Sequence, residues 1–358
     1  RMVLQRAPLQ AYIFGKSDTF AKLSILLNGR VIGSGSADSN GKFRLGIPPQ
    51  EAGGPHKVSV LNSLNTRERV DFVDVYFGDV WLCSGQSNMV MNTFMIYNAT
   101  EEIEDSINYP EIRIFAVKMN TSIDPLDDVK SLIPGQWQLS SPSSIGKPTI
   151  KSYFSAICYL FGKENYKKTK IPTGLISSAW GGTRIQAWSS QESLANCRSV
   201  PAKPNLTIVL EDTPTILDQL DQPQTLDPNT ESVLFNAMIY PLFGLSLKGI
   251  IWYQGETNTR EPKFYRCQFK EMILDYRARF GNDKLPFYFV QLAPFSSQLL
   301  PEFRIGVGMA TAIDTWDPDS IYGEVHPRNK QVFFFFFAFF KFMIKFKNSK
   351  IQKKKKIK

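Results

Sequence analysis

The chain has 358 residues, which is long enough for about two domains with a sizeable buried core. Its formal net charge of +9 is concentrated at one end, because residues 333–358 contain nine Lys and no Arg, Asp or Glu, which leaves the rest neutral. A neutral body lacks the basic surface that nucleic-acid binding requires, so this class of partner is excluded.

Few residues are suited to binding a metal ion. The only histidines are His56 and His326, and the four cysteines have no histidine beside them, so we expect neither a metal nor a cofactor. The cysteines are instead candidates for disulfides of an exported protein, and the sequence leaves their pairing open. Three glycosylation sequons, which begin at Asn98, Asn120 and Asn205, also indicate a secreted or lumenal glycoprotein.

Residues 1–76 alternate short apolar runs with turn residues, a spacing typical of a small antiparallel β-sandwich. Asn-Gly pairs at 28–29 and 40–41 each predict a hairpin, because Asn and Gly tolerate the positive φ angles of a tight turn. No residue of this segment carries chemistry, and His56 is interpreted as a surface residue. The sequence therefore predicts a β-sandwich-like N-terminal domain over residues 1–76.

From Asp79 onward, strand-like apolar runs alternate with helical stretches. This alternation predicts an α/β fold, a parallel sheet with flanking helices, over residues 77–331. The sequence further predicts helices at 152–169, 236–247 and 271–280, strands at 286–291 and 308–314, and a surface excursion at 199–230.

Ser87 lies at a position that suits a nucleophile. Residues 80–83 predict a buried strand, Gly85 interrupts it, and a helix can begin at Ser87. A hydroxyl at the carboxyl end of a strand lies beside unpaired backbone N–H groups that can hold a developing oxyanion. Taken alone, this pattern is more typical of a helix-capping or loop serine than of a nucleophile, so the interpretation depends on later segments.

Later loops supply the other groups that serine catalysis needs. One strand-like run leads into a Gly-Gly turn at 181–182, another leads into Glu256 and Asn258, and a final loop holds His326. In an open parallel sheet, such strand ends line one crevice. Serine needs a base to take its proton, imidazole does so near neutral pH, and a carboxylate orients the imidazole. The sequence therefore predicts acyl transfer with Ser87 as nucleophile.

Four motifs in this order resemble the sialate O-acetylesterase family, a group of SGNH-type hydrolases related to acetyl xylan esterases. The resemblance runs from about residue 2 to residue 331 and rests on WLCSGQSNM at 81–89, SAWGGTRIQAW at 178–188, WYQGETN at 252–258 and VHPRNKQ at 325–331. It implies a metal-free serine esterase that removes O-acetyl groups from sialic acids in a lysosomal or secreted setting. The implied partner is an O-acetylated sialoglycan or another acetylated carbohydrate.

The resemblance also implies roles for residues at matching positions. Ser87 would be the nucleophile and His326 the general base. The oxyanion hole would consist of the backbone N–H groups of Ser87 and Gly182 together with the side chain of Asn258, and Gln254 would contribute to it.

Two residues near the glycine turn are candidates for binding the sugar. Arg184 is placed to pair with the carboxylate of a sialic acid through a bidentate contact, and Trp180 is placed to serve as a platform for the ring. The alternative interpretations are a solvated arginine and a core tryptophan.

The motifs leave the carboxylate of the triad open. Many SGNH-type hydrolases have an aspartate three residues before the histidine, but that position is Gly323 here. Related acetyl esterases use the glutamate of a Gln-Gly-Glu segment, which predicts Glu256. Glu324 is the competitor, although an extended loop would turn it away from the imidazole. The remaining alternatives are Asp314, Asp317 and Asp319.

After Gln331 the resemblance stops at a Phe-rich run that leads into Lys-rich residues. Because runs of T and of A encode Phe and Lys, residues 332–358 are interpreted as an aberrant C-terminus translated from noncoding sequence and are predicted not to fold. The run is too short and too interrupted by Lys for a membrane span of about 20 apolar residues. A basic membrane-binding tail is the alternative. The interval between 291 and 314 is interpreted as shortened.

Three functions follow from these observations. The first is a serine esterase acting on O-acetylated sialic acids. The second is an acetyl xylan esterase-like carbohydrate deacetylase, which the same motifs allow. The third is a catalytically inactive glycan-binding protein or truncated product, which the abnormal C-terminal residues suggest.

Overall fold

The computed structural model describes residues 1–63, 68–130, 137–146, 154–198, 226–259, 261–292, 307–312 and 317–331. The strands are β1 (Met2–Gln5), β2 (Ala11–Lys16), β3 (Lys22–Leu27), β4 (Arg30–Ser36), β5 (Lys42–Ile47), β6 (Gly53–Asn62), β7 (Arg69–Gly85), β8 (Ile112–Ala116), β9 (Gln138–Leu139), β10 (Thr173–Ala179), β11 (Gly249–Tyr253), β12 (Phe287–Gln291) and β13 (Val307–Thr311). The α-helices are α1 (Ser87–Val90), α2 (Ala99–Asp105), α3 (Pro142–Ile145), α4 (Ala156–Thr169), α5 (Gln191–Ala195) and α6 (Pro262–Arg279).

The long strand β7 is the centre of a mainly parallel sheet with the order β13-β12-β11-β7-β10-β8-β9. Its second half is fully buried, because β10 and β11 pair with its two edges and helices cover its faces. A parallel strand covered on both faces needs a continuous apolar run, which residues 80–83 supply. The predicted fold class, a parallel sheet flanked by helices, is confirmed.

Most of the N-terminal strands form antiparallel pairs, as predicted, whereas β1 pairs with β7 in parallel. Strand β3 pairs with β4 and β6, β6 pairs with the first half of β7, and β2 pairs with β5 in a separate sheet. A separate apolar core fills this region; Ile25, Ile47, Val58 and Phe77 have no exposed surface. Because β7 runs through residue 76 into the parallel sheet, the domain boundary at 76–77 stays a prediction.

The two Asn-Gly pairs have different outcomes. Asn28 and Gly29 both have positive φ, 51° and 85°, and join β3 to β4 as a hairpin. Gly41 also has a positive φ, but β5 pairs with β2 and not with β4, so the second predicted hairpin is wrong. A tight turn fixes only the local reversal of the chain, and the strand that follows is free to join another sheet.

The helices that flank the sheet begin and end at residues with a physical reason to do so. The Ser155 side chain accepts a hydrogen bond from the Cys158 backbone N–H at 3.2 Å, which caps α4 at its start. Helix α6 starts at Pro262, earlier than predicted, because Pro suits the first turn of a helix. The predicted helix at 236–247 is instead a π-helix, Phe235–Ile239, followed by a 3₁₀-helix, Tyr240–Gly244.

Two disulfides connect the sheet and helices. Cys83–Cys158 joins β7 to α4, and Cys197–Cys267 joins the residues after α5 to α6. The first bond anchors β7 four residues before Ser87. Within the described ranges, no helix has the length and apolar character needed to cross a membrane.

Candidate active site

Ser87 is the first residue of α1, immediately after the carboxyl end of β7. The chain turns there because Gly85 adopts a φ of +142°, and a Cβ at this position would lie 2.0 Å from the Tyr253 carbonyl oxygen. The Gln86 backbone N–H donates to that same carbonyl at 2.9 Å. Glycine is therefore required at residue 85, and the turn leaves the Ser87 side chain partly exposed above the sheet.

His326 lies within hydrogen-bonding distance of Ser87. The distance between His326 Nε2 and Ser87 Oγ is 2.7 Å, and that between His326 Nδ1 and the Tyr322 carbonyl oxygen is 2.6 Å. A carbonyl oxygen can only accept, so Nδ1 carries the proton and Nε2 is the acceptor for the serine hydroxyl. This tautomer is the one that a general base needs.

The residues that present His326, which we call the histidine loop (317–331), are held by their own contacts. Arg328 donates from its Nε and Nη2 atoms to the two carboxylate oxygens of Asp317, at 2.8 and 2.9 Å, which closes the loop. The Ser320 hydroxyl donates to the His326 carbonyl oxygen at 2.7 Å. The loop also contacts Tyr97, whose backbone N–H donates to the Arg328 carbonyl at 3.1 Å.

The Asp317–Arg328 ion pair makes the stability of the loop dependent on pH. Hydrogen bonds from Arg328 lower the pKa of Asp317 from 3.8 to about 2. The stabilisation is therefore complete above pH 3.8 and is lost as the pH falls toward 2. We expect Asp317→Asn to lower the Tm at neutral pH, with the difference from wild type disappearing near pH 2, as measured by thermal unfolding at several pH values. A constant difference would show that the charge is irrelevant.

Glu256 lies near the histidine loop but is not placed on the imidazole. Its Oε1 atom accepts from Asn88 Nδ2 at 2.7 Å, and its Oε2 atom is buried with no hydrogen-bond partner among the described residues. Burial raises the pKa of Glu256, opposed by the Asn88 hydrogen bond and the charge of Lys330. No hydrogen bond joins Glu256 to His326 among the described residues; Asn88 links the carboxylate to the Val325 backbone carbonyl, beside the histidine, and the role of Glu256 in the triad stays a prediction.

The other acidic candidates for the carboxylate of the triad lie in different surroundings. Asp317 is engaged by Arg328, so the structure gives it a role in loop closure instead of at the imidazole. Glu324 and Asp319 are exposed to solvent. Asp314 lies outside the described residues.

Two backbone N–H groups beside Ser87 are available for an oxyanion. A Cβ built on Gly181 would lie 3.5 Å from the Ser87 Cβ, so the glycine turn packs directly against the nucleophile candidate. Gly182 has a φ of +68°. Within the described part of the chain, neither the Ser87 nor the Gly182 N–H donates to another protein group. Unpaired donors at the first turn of a helix and in a glycine turn suit a developing negative charge.

The amide side chains of Asn258 and Gln254 lie together behind the glycine turn. Asn258 Oδ1 accepts from Gln254 Nε2 at 2.7 Å and from the Ile185 backbone N–H at 2.9 Å. Asn258 Nδ2 donates to Gln186 Oε1 at 2.9 Å. Gln254 also donates to the Thr183 carbonyl at 3.1 Å. Both residues therefore join the loop after β11 to the glycine turn.

The two sugar-binding candidates differ in exposure. Arg184 is exposed, and its guanidinium has no ion-pair partner among the described residues. Trp180 is only 7% exposed and packs in the core beneath the site, which favours the interpretation as a core tryptophan. A flat sugar platform would need more open ring surface.

Three contributors were not singled out from the sequence: the Tyr322 carbonyl, Asn88 and Lys330. A backbone carbonyl leaves no residue signature, so the partner of His326 Nδ1 was not predictable. Asn88 and Lys330 do lie inside the quoted motifs, and Lys330 becomes notable only because it has no exposed surface. Within the described ranges, no three His, Cys, Asp or Glu side chains are grouped so that they could hold a metal ion.

Comparisons with known proteins agree on the family. A family model described as carbohydrate esterase, sialic acid-specific acetylesterase, matches residues 230–317. The sialate O-acetylesterase of Mus musculus is 35% identical over 379 residues, covering 92% of this chain and 69% of that protein. The Homo sapiens protein of the same name is 35% identical, with 92% and 66% covered. A solved carbohydrate acetylesterase from Xanthomonas citri has a TM-score of 0.72 at 29% identity, with 92% and 69% covered.

Proposed function

Because the chain belongs to the sialate O-acetylesterase family of carboxylic ester hydrolases, we propose that it removes O-acetyl groups from sialic acids through an acetyl-enzyme intermediate on Ser87. The observation that carries this proposal is the 2.7 Å distance between Ser87 Oγ and His326 Nε2. A base at that distance can take the hydroxyl proton as the serine oxygen attacks.

The reaction proceeds in two half-reactions. Ser87 Oγ attacks the acetyl carbonyl carbon while its proton moves to His326 Nε2, and the carbonyl oxygen becomes an oxyanion. The Ser87 and Gly182 N–H groups, with the amide of Asn258, stabilise that charge, and Gln254 orients the Asn258 side chain. The bond to the sugar oxygen then breaks, and this oxygen takes the proton from His326. Water, activated by His326, releases acetate in the second half-reaction.

The imidazolium that forms transiently needs a counter-dipole or counter-charge. The Tyr322 carbonyl supports its Nδ1–H at 2.6 Å. Glu256 is the acidic group that we propose for the site, and it acts through Asn88, because Asn88 Nδ2 donates both to the Glu256 carboxylate at 2.7 Å and to the Val325 carbonyl at 2.8 Å. The Tyr322 carbonyl thus takes the position on Nδ1–H that a carboxylate occupies in the usual triad, and Glu256 supports the residue before the histidine instead of the imidazole itself.

Arg184 distinguishes the sialate substrate from acetylated xylan. Sialic acids carry a carboxylate, whereas the xylose backbone of xylan is neutral, and Arg184 is an exposed guanidinium two residues beyond Gly182. A hydrogen bond between such charged groups stabilises the bound substrate by about 1.5–3 kcal/mol. Arg184 would therefore raise kcat/KM for a sialic acid by roughly 10-fold to 100-fold. Trp180 contributes packing beneath the site and not a sugar platform.

The test is acetyl release from an O-acetylated sialic acid and from acetylated xylan by wild type and Arg184→Gln. We expect wild type to prefer the sialic acid, and Arg184→Gln to lose about 10-fold or more on that substrate while its rate on p-nitrophenyl acetate stays unchanged. A preference for xylan would favour the xylan-deacetylase alternative. Binding of either glycan without any acetyl release would favour the glycan-binding alternative.

We propose a lysosomal or secreted location and glycosylation. Two disulfides, Cys83–Cys158 and Cys197–Cys267, suit an oxidising compartment. Among the sequon residues, Asn98 is exposed at the start of α2 and Asn120 is partly exposed. Asn205 lies outside the described residues.

A further inference from the structure

Asn88, the neighbour of Ser87, contacts the histidine loop on both sides of His326. Its Nδ2 atom donates to the Val325 carbonyl at 2.8 Å, one residue before the histidine. Its Oδ1 atom accepts from Lys330 Nζ at 2.5 Å, four residues after the histidine. One buried side chain, 1% exposed, therefore joins α1 to the histidine loop at two points.

Charges on either side of Asn88 fix which way its amide points. The ammonium group of Lys330 faces the amide oxygen, and the carboxylate of Glu256 faces the amide nitrogen at 2.7 Å. Rotating the amide by 180° would place its oxygen against Glu256 and its N–H groups against Lys330. The amide oxygen would then face carboxylate oxygens and the amide N–H groups would face the N–H groups of Lys330, so only the observed orientation pairs each donor with an acceptor.

Lys330 is held in this position by its surroundings. It has no exposed surface, and its Nζ atom lies 5.4 Å from the centre of the Tyr253 ring, a cation–π distance. Burial lowers the pKa of Lys330 to about 7, opposed by the negative charges of Glu256 and Asp317. A buried amine needs hydrogen bonds to offset its desolvation, which ties Lys330 to Asn88.

We propose that Asn88, held between Lys330 and Glu256, is a positioning residue that fixes the histidine loop against α1 and so sets the separation of Ser87 Oγ and His326 Nε2. This role rests on the proposed serine esterase mechanism. It acts on the rate and not on substrate binding, because Asn88 and Lys330 are buried and offer no surface to a substrate. A misplacement of reacting groups by about 1 Å can cost roughly 10²-fold in rate.

The test compares Lys330→Met, which keeps the length of the side chain and removes the ammonium group, with Lys330→Gln, which keeps an N–H donor for Asn88. For p-nitrophenyl acetate we expect Lys330→Met to lower kcat by about 10-fold or more with KM within about 2-fold. Lys330→Gln should recover part of this loss. Asn88→Ala should lose at least as much as Lys330→Met, because it also removes the hydrogen bonds to Glu256 and Val325. The double variant should be no worse than Asn88→Ala, because both single variants remove the contact between Asn88 and Lys330.

Lys163→Met is the matched control. Lys163 is also buried, at 5% exposure, and pairs with Glu102 and Asp105, neither of which belongs to the histidine loop. It should lose thermal stability without losing kcat. The positioning role is wrong if kcat of Lys330→Met stays within 2-fold of wild type. It is also wrong if Lys330→Met and Lys163→Met both lose kcat in proportion to their loss of thermal stability. Should Lys330→Met not fold, Asn88→Ala and Lys330→Gln decide by the same criteria.

A second readout does not depend on esterase activity. Amide hydrogen exchange of peptides that cover residues 317–331 should become faster in Lys330→Met and Asn88→Ala and stay unchanged in Lys163→Met. An inactive wild type would reject the proposed function, while the exchange pattern would still support or reject the contact between Asn88 and the histidine loop. Unchanged exchange in both site variants would overturn the inference.

Discussion

Replacement of Ser87 by alanine is expected to lower kcat for p-nitrophenyl acetate by about 10⁴-fold or more. The substitution removes the atom that forms the acetyl-enzyme and leaves the backbone N–H groups around it in place. Ser87 is partly exposed, so the loss of its hydroxyl should change the Tm little. Covalent labelling by a fluorophosphonate, detected by intact mass, should disappear with the activity.

Ser84→Ala is the matched control for Ser87→Ala. Ser84 lies near the end of β7, three residues before Ser87, and is fully buried; its hydroxyl has no hydrogen-bond partner among the described residues. This control should keep both activity and labelling. His326→Ala should approach the loss seen for Ser87→Ala, and the double variant should lose little more, because the two side chains act as a unit. If Ser87→Ala keeps a tenth of the activity, Ser87 is not the nucleophile.

The fold was predictable where burial leaves a recognisable pattern of apolar residues in the sequence. The run at 80–83 identified a strand covered on both faces, and the structure places it at the centre of the sheet. The pairing of β5 with β2 was not predictable, because a turn at residue 41 specifies a reversal and not the sheet that the next strand joins. Local sequence fixes elements more strongly than it fixes partners.

The candidate site was predictable in its residue types and less so in its contacts. Ser87 and His326 are 239 residues apart, and only the order of strand ends in a parallel sheet suggested that they meet. The contacts of Glu256 were harder to predict, because the same residue types allow a carboxylate to bind the imidazole or to bind a neighbouring amide. In the structure Glu256 binds the amide of Asn88, which in turn contacts the backbone of the histidine loop, and this contact depends on how the loop packs.

Asn258→Ala is expected to lower kcat by about 10²–10³-fold, the typical loss for one oxyanion donor. The side chain is 4% exposed and joins the loop after β11 to the glycine turn through Gln254 and Gln186. Truncation removes the proposed amide donor and also releases Gln254, which uses Asn258 Oδ1 as an acceptor. Because the oxyanion exists only during the reaction, KM should change much less than kcat, as steady-state kinetics on p-nitrophenyl acetate will show.

Asn236→Ala separates this effect from a general loss of buried hydrogen bonds. Asn236 is 7% exposed, and its Nδ2 atom donates to the carbonyls of Ser122 and Ile123, which belong to a loop outside the site. Truncation of either asparagine removes the hydrogen bonds of a buried side chain, at a cost of about 0.5–1.5 kcal/mol in stability for each bond. Only Asn258→Ala should also lose kcat. Equal losses of kcat in the two variants would mean that Asn258 supports the fold and does not contact the oxyanion, and the N–H groups of Ser87 and Gly182 would then have to stabilise it alone.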